Sequence, residues 1–191
     1  MKLKNILISG IFIFSFGQIY AQNLHFYRED ITFEIKDQYF YVNGNYYFCN
    51  VGNDSIKSLL FYPFPIDSAY GKVDSVNITM VSDSSNAIQN ISQSGAFFVV
   101  KIKPYGSNKF NISYRQKLLG KKAEYILLTT KQWGKPFEQV NYKLITHNNI
   151  QVQSLSYPAD SNYSANKEEI YFWHKKNFMP DKNMIIVFST N

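Results

Sequence analysis

Three histidines carry most of the chain's capacity for metal ligation or proton transfer near neutral pH, and their spacing suits neither task. His25, His147 and His174 are far apart, and none belongs to a His-Glu-x-x-His run or a similar ligand pair. No metal and no cofactor is expected. His147 precedes Asn148-Asn149 and reads as a loop residue, while His174 beside Trp173 reads as a half-exposed residue at a strand end. No Gly-x-Ser-x-Gly turn is present to present a nucleophilic serine, and no Gly-rich loop to cradle a phosphate. The carboxylates Glu29-Asp30 and Glu168-Glu169 stand side by side. Neighbours on a strand project to opposite faces, so neither pair can straddle one substrate bond. Both pairs read as solvated surface. Catalysis would need a constellation assembled only by folding, such as His174 with Glu168 or Asp181. The single cysteine, Cys49, excludes an internal disulfide and reads as a small buried hydrophobe within Tyr46-Tyr47-Phe48-Cys49.

Two aromatic segments suit recognition better than catalysis. Trp133 and Lys135 lie in Thr130-Lys131-Gln132-Trp133-Gly134-Lys135-Pro136-Phe137, among polar and turn residues. A loop tryptophan stacks on sugars or anchors a partner peptide; the competing role is a plug for the end of a sandwich. Tyr62 and Phe64, in Tyr62-Pro63-Phe64-Pro65, form either a recognition segment or a rigid strand exit, since both prolines remove ladder donors. Trp133, Lys135, Tyr62 and Phe64 are the candidate partner-binding residues. Trp173, in Tyr171-Phe172-Trp173, reads as core.

The elements that must position these residues are strands. Aromatics make up 17% of the chain and fall inside alternating runs, as suits a pleated, half-buried surface. No long 3.6-residue period occurs beyond the first 22 residues. Alternation predicts strands at 31–36, 39–50, 56–61, 73–81, 87–91, 95–103, 109–116, 138–146, 151–156, 170–174 and 184–190, with 123–130 leaning the same way. Asp37-Gln38 reads as a turn, and 157–167 as a polar excursion. Asn43-Gly44 is either a hairpin turn or an interruption in one long strand. About a dozen short strands at such spacing predict an all-β fold with little helix, a two-sheet antiparallel β-sandwich.

Residues 1–22 have the layout of a secretory signal peptide: Lys2 and Lys4, an apolar run from Ile6 to Phe16, then a polar stretch holding Ala21. The apolar run is short for a bilayer span, which needs roughly 20 residues. The expected organisation is a leader over 1–22 and a single sandwich domain over 23–191, exported to the periplasm or beyond, with no transmembrane segment in the mature chain. The formal charge of +6 falls to +4 without Lys2 and Lys4. The remaining basic residues are scattered, as in Lys121-Lys122 and Lys175-Lys176, which argues against a nucleic-acid partner.

Asp30-Ile31-Thr32-Phe33-Glu34-Ile35, Tyr41-Val42-Asn43-Gly44-Asn45-Tyr46-Tyr47-Phe48, Leu59-Leu60-Phe61-Tyr62-Pro63 and the run from Asn108 to Arg115 resemble the amino-terminal β-sandwich of the zinc aminopeptidases. They are also similar to small exported bacterial sandwich proteins. The resemblance covers roughly the first two-thirds of the mature chain. It implies an unbroken strand through Gly44 and a stand-alone sandwich; the zinc motif is missing, so no peptidase residue carries over. The expected function is that of a non-catalytic binding or accessory protein of the cell envelope, with a protein or glycan partner. A hydrolase of unrecognised type and a structural subunit associating by an edge strand are the alternatives.

Overall fold

The computed structural model describes residues 23–147 and 149–190; the expected leader over 1–22 lies outside them. Fourteen strands form among the described residues. The first seven are β1 (Leu24–Lys36), β2 (Tyr39–Asn50), β3 (Ile56–Pro63), β4 (Tyr70–Met80), β5 (Ser85–Asn86), β6 (Ile88–Ser92) and β7 (Gly95–Ile102). The others are β8 (Ser107–Leu118), β9 (Lys122–Tyr125), β10 (Phe137–His147), β11 (Ile150–Leu155), β12 (Ser161–Ala165), β13 (Glu168–Phe178) and β14 (Met184–Thr190). A 3-10 turn, Leu128–Trp133, sits between β9 and β10. No helix among the described residues is long and apolar enough to cross a membrane.

The fold is an all-β sandwich. One layer is an eight-stranded sheet in the order β12-β13-β10-β1-β2-β8-β4-β5. The opposing layer is divided into two three-stranded sheets, β3-β7-β6 and β11-β14-β9. Every pairing is antiparallel except β1 with β10, which run parallel in register from Arg28↔Gln139 to Ile35↔Thr146. Alternation fills the space between the layers. Ile31, Phe33 and Ile35 of β1 are buried with Val42, Tyr46 and Phe48 of β2 and Val140, Tyr142 and Leu144 of β10. Phe98 and Val100 of β7 and Met184, Ile186 and Phe188 of β14 meet them from the other side. Trp173 is also in the core, where its indole N–H donates to the Tyr157 carbonyl at 2.9 Å.

Two local devices decide what faces inward. Asp37 and Gln38 both take positive φ, 51° and 64°, and close the β1–β2 hairpin at Lys36↔Tyr39. Positive φ at both central residues gives a turn whose twist matches that of the strands. The second device is a bulge where the β1–β2 pairing shifts between Phe26 and Arg28. One extra residue reverses the side-chain parity. Leu24 and Phe26 face the core before it, and Glu29, Ile31 and Phe33 after it.

β2 runs unbroken through Asn43-Gly44, with Gly44 opposite Ile31 on one side and Ile112 on the other. A hairpin there is thereby excluded. Space favours glycine here: a Cβ would come within 2.7 Å of the Tyr46 ring, which lies over the backbone and would have to shift. Gly44→Ala is expected to displace that ring and cost about 1–3 kcal/mol, the usual range for overpacking. A urea midpoint indistinguishable from the parent would show that the ring moves freely.

Candidate functional site

The pairing of β1 with β10 begins at Arg28, so His25, Phe26 and Tyr27 run beyond the end of the parallel ladder. A cleft of about 530 Å³ opens there. Its walls come from this stretch of β1, from Trp133, Lys135 and Pro136, from Glu138 of β10, and from Lys176 and Asn177 of β13. Gly134 takes the left-handed conformation, φ 69°, and closes the 3-10 turn with its N–H on the Lys131 carbonyl. That turn aims Trp133 back at the sandwich. The indole packs against Phe26 and Phe48, with ring centroids 5.8 Å away in both cases, and stays half-buried. Trp133 therefore does both things open to it in the sequence: one side plugs the end of the sandwich and the other lines the cleft.

Lys135 is exposed beside Trp133, and its ammonium donates to His25 Nε2 at 3.1 Å. A protonated imidazole could not accept that bond. Burial and the Lys135 charge both hold His25 below its ordinary value, with Glu138 opposing them. The cleft rim thus carries the cations Lys135 and Lys176 against one acid, Glu138. Cys49 lies across the β1–β2 ladder from His25, half-buried rather than fully buried, and burial pushes its thiol up, away from the reactive thiolate.

Tyr62 and Phe64 are not on this surface. They are 8% and 3% exposed, and the Phe64 ring packs on Tyr114 with centroids 5.0 Å apart. The prolines place Tyr62-Pro63 on β3, an edge strand, as the missing donors require, and the aromatic side chains point into the core. Of the four candidate residues, only Trp133 and Lys135 line the cleft; Glu138, close by in sequence, and Lys176 and His25, distant in sequence, join them there.

The strongest departure from expectation is Glu29. It is 1% exposed, not solvated, whereas Asp30 next to it faces the other way. Tyr142 donates its hydroxyl to one Glu29 oxygen, and Tyr125 donates to the other at 3.2 Å. Tyr46 lies 3.1 Å from the Tyr125 hydroxyl, and Tyr62 lies 2.8 Å from that of Tyr46. With Glu29 ionised, every proton in this chain points toward the carboxylate, an arrangement in which each bond strengthens the next. Burial pushes Glu29 up to about 7, against the pull of the Tyr142 and Tyr125 hydrogen bonds.

Asp30 anchors a polar network on the outer face. It accepts from Arg28 at 2.8 Å, Tyr47 at 2.8 Å and Asn141 at 2.5 Å. Partial burial works against its charge, but these partners hold it below the usual carboxylate value. His174 donates from Nδ1 to Asn141 at 2.6 Å; it is exposed and in the middle of β13, not at a strand end. The hydrolytic constellation is not assembled. Glu168 lies six residues from His174 on the same strand, roughly 20 Å away. Asp181 accepts from Tyr157 instead. His147 ends β10 rather than lying in a loop, with Nε2 2.9 Å from Glu34. Among the described residues no group of three His, Cys, Asp or Glu side chains is placed to hold a metal ion.

No protein-family model matches the chain, and no curated protein matches it. Solved structures do. A protein from Legionella pneumophila, provisionally named a nutrient binding protein, superposes with a TM-score of 0.73 at 14% identity, over 90% of this chain and 68% of its own. The M1 zinc metallopeptidase from Deinococcus radiodurans superposes with a TM-score of 0.55 at 6% identity, over 87% of this chain. This chain spans 43% of that enzyme, the part matched being its amino-terminal domain. At such identities the likeness is one of fold: the sandwich resembles the amino-terminal domain of the zinc metallopeptidases, as the strand texture implied.

Proposed function

We propose that the chain is an exported, non-catalytic binding or accessory protein of the bacterial cell envelope, and that the cleft at Trp133 holds its ligand. The observation that carries this reading is the cleft itself, about 530 Å³ in size and walled by an indole, a phenylalanine and two lysines. That volume lies in the range of small-ligand sites, in which aromatic walls supply affinity and a few polar groups fix orientation. Two rim lysines against one glutamate, with His25 neutral, favour a ligand that bears an acidic group. The indole suits a sugar face or a planar peptide group. A short acidic glycan of the envelope meets both conditions. The Legionella likeness supports the use of this fold as a binding module, and the leader-like residues 1–22 support export.

The test is a titration of the purified protein with acidic oligosaccharides, neutral counterparts and acidic peptides, followed by calorimetry. A saturable change with an acidic oligosaccharide is expected, weakened at least tenfold by Trp133→Ala and severalfold by Lys176→Gln. Equal binding by the parent and both variants, or no saturable ligand in the panel, overturns the assignment.

A further inference from the structure

Behind Trp133 lies a second, smaller space that the cleft does not use. It measures about 60 Å³ and sits at the seam where the three sheets meet. Glu29 of β1, Phe48 of β2, Tyr62 of β3, Phe98 of β7 and Tyr125 of β9 line it, and Trp133 separates it from the cleft. Phe61, 46% exposed, and the half-buried Thr129 stand where it meets solvent.

The chemistry of this space is one-sided. Glu29 is its one acid, and no lysine, arginine or histidine lines it. The groups that face the carboxyl are Tyr142 from β10 and Tyr125 from β9, with Tyr46 of β2 behind them. The nearest further charge is Asp30, of the same sign. A carboxylate buried so deeply lacks a countercharge, and hydroxyl donors compensate only in part. The other walls are aromatic faces, which attract cations. Size narrows the choice further. At about 60 Å³ the space takes only a few water-sized groups, and so a small polar head rather than a bulky ligand. Calcium and magnesium want six or more oxygens, and zinc wants several Cys, His or carboxylate ligands; these walls offer one carboxylate and no His or Cys.

We propose that this cavity binds the terminal aminomethyl group, –CH2–NH3+, of a primary amine, with the ammonium against Glu29 and the remainder of the ligand leaving past Phe61 and Thr129. The site is distinct from the cleft's: the two share Phe26 and Trp133 as a wall, but none of the cleft's cations lines it.

Methylammonium chloride is the probe, with potassium chloride and tetramethylammonium chloride at equal ionic strength as controls. Carboxyl-carbon NMR of Glu29 reads the result. A cation against a carboxylate lowers its pKa by about 1–3 units, so methylammonium is expected to move the Glu29 midpoint down by at least one unit, saturably. Tetramethylammonium, too large for the space, and potassium are expected to leave it in place. Glu29→Gln is expected to abolish methylammonium binding measured by calorimetry, and Lys176→Gln to leave it unchanged. An unmoved midpoint, an equal shift with either control salt, or undiminished binding by Glu29→Gln overturns the proposal. Should Glu29→Gln fail to fold, the NMR titration of the parent decides alone. Weakened glycan binding in Lys176→Gln with the methylammonium response intact separates the two sites.

Discussion

Glu29→Gln is expected to flatten the pH dependence of stability between about pH 4.5 and 7. The folded chain holds the Glu29 proton up to about pH 7, whereas an ordinary glutamate releases it near 4.5. Across that window the unfolded chain binds fewer protons than the folded one, so raising the pH favours unfolding. The stabilisation is complete below 4.5, declines through the window and is gone above 7. The span of the shift corresponds to about 3 kcal/mol. Asp30 and Asp160, both held below the ordinary 3.8, act in the opposite sense at more acid pH. His25 opposes Glu29 within the window, because its folded value is lowered. The informative quantity is therefore the difference between parent and variant, from urea unfolding at four pH values between 4.5 and 7.5. Parallel curves would mean that Glu29 stays ionised in the folded chain, and the account of its burial would fail.

Phe137→Ala is expected to cost about 3–5 kcal/mol, the range for removing a fully buried phenylalanine ring and leaving a cavity. Phe137 is 0% exposed, and its ring stands edge-on to Phe26 with centroids 4.7 Å apart. Phe26 in turn touches Trp133, so the loss spreads to the wall shared by the cleft and the inner cavity. A red shift of Trp133 emission should accompany the fall in stability. Phe137→Leu, which keeps most of the volume, should cost markedly less. An alanine variant within about 0.5 kcal/mol of the parent would show that this end of the sandwich closes over the gap at no cost.

Two-residue alternation made most of the architecture readable. Tyr39–Asn50 and Met184–Thr190 begin and end where the side-chain pattern does. Alternation failed where something other than burial orders the chain. β12, Ser161–Ala165, is an exposed edge strand with no apolar face, held by its ladder to β13, and it reads as a loop. The 3-10 turn occupies a stretch whose β-branched threonines suggest strand. The cleft was half legible: Trp133, Lys135 and Glu138 lie within six residues of one another, while Lys176 reaches them through the pairing of β13 with β10 and His25 comes from the far end of the chain. Glu29 carried a usable signal. Counting back by twos from Ile35, Phe33 and Ile31 lands on it, on the inward face. Its charge argued for solvent, and the bulge at Tyr27 hid the continuity with Phe26.

The parallel ladder between β1 and β10 joins segments more than a hundred residues apart in sequence. The β1–β2 hairpin can close as soon as residue 50 exists, but the far edge of β1 must wait for the chain to reach residue 137. Until then the centre of the finished sheet is its border, with a row of unsatisfied N–H and C=O groups open to any strand that meets it. So distant a closure makes folding slow, and it makes the half-made chain the form most prone to stick to its own copies. Any shortened form that lacks β10 inherits that hazard permanently.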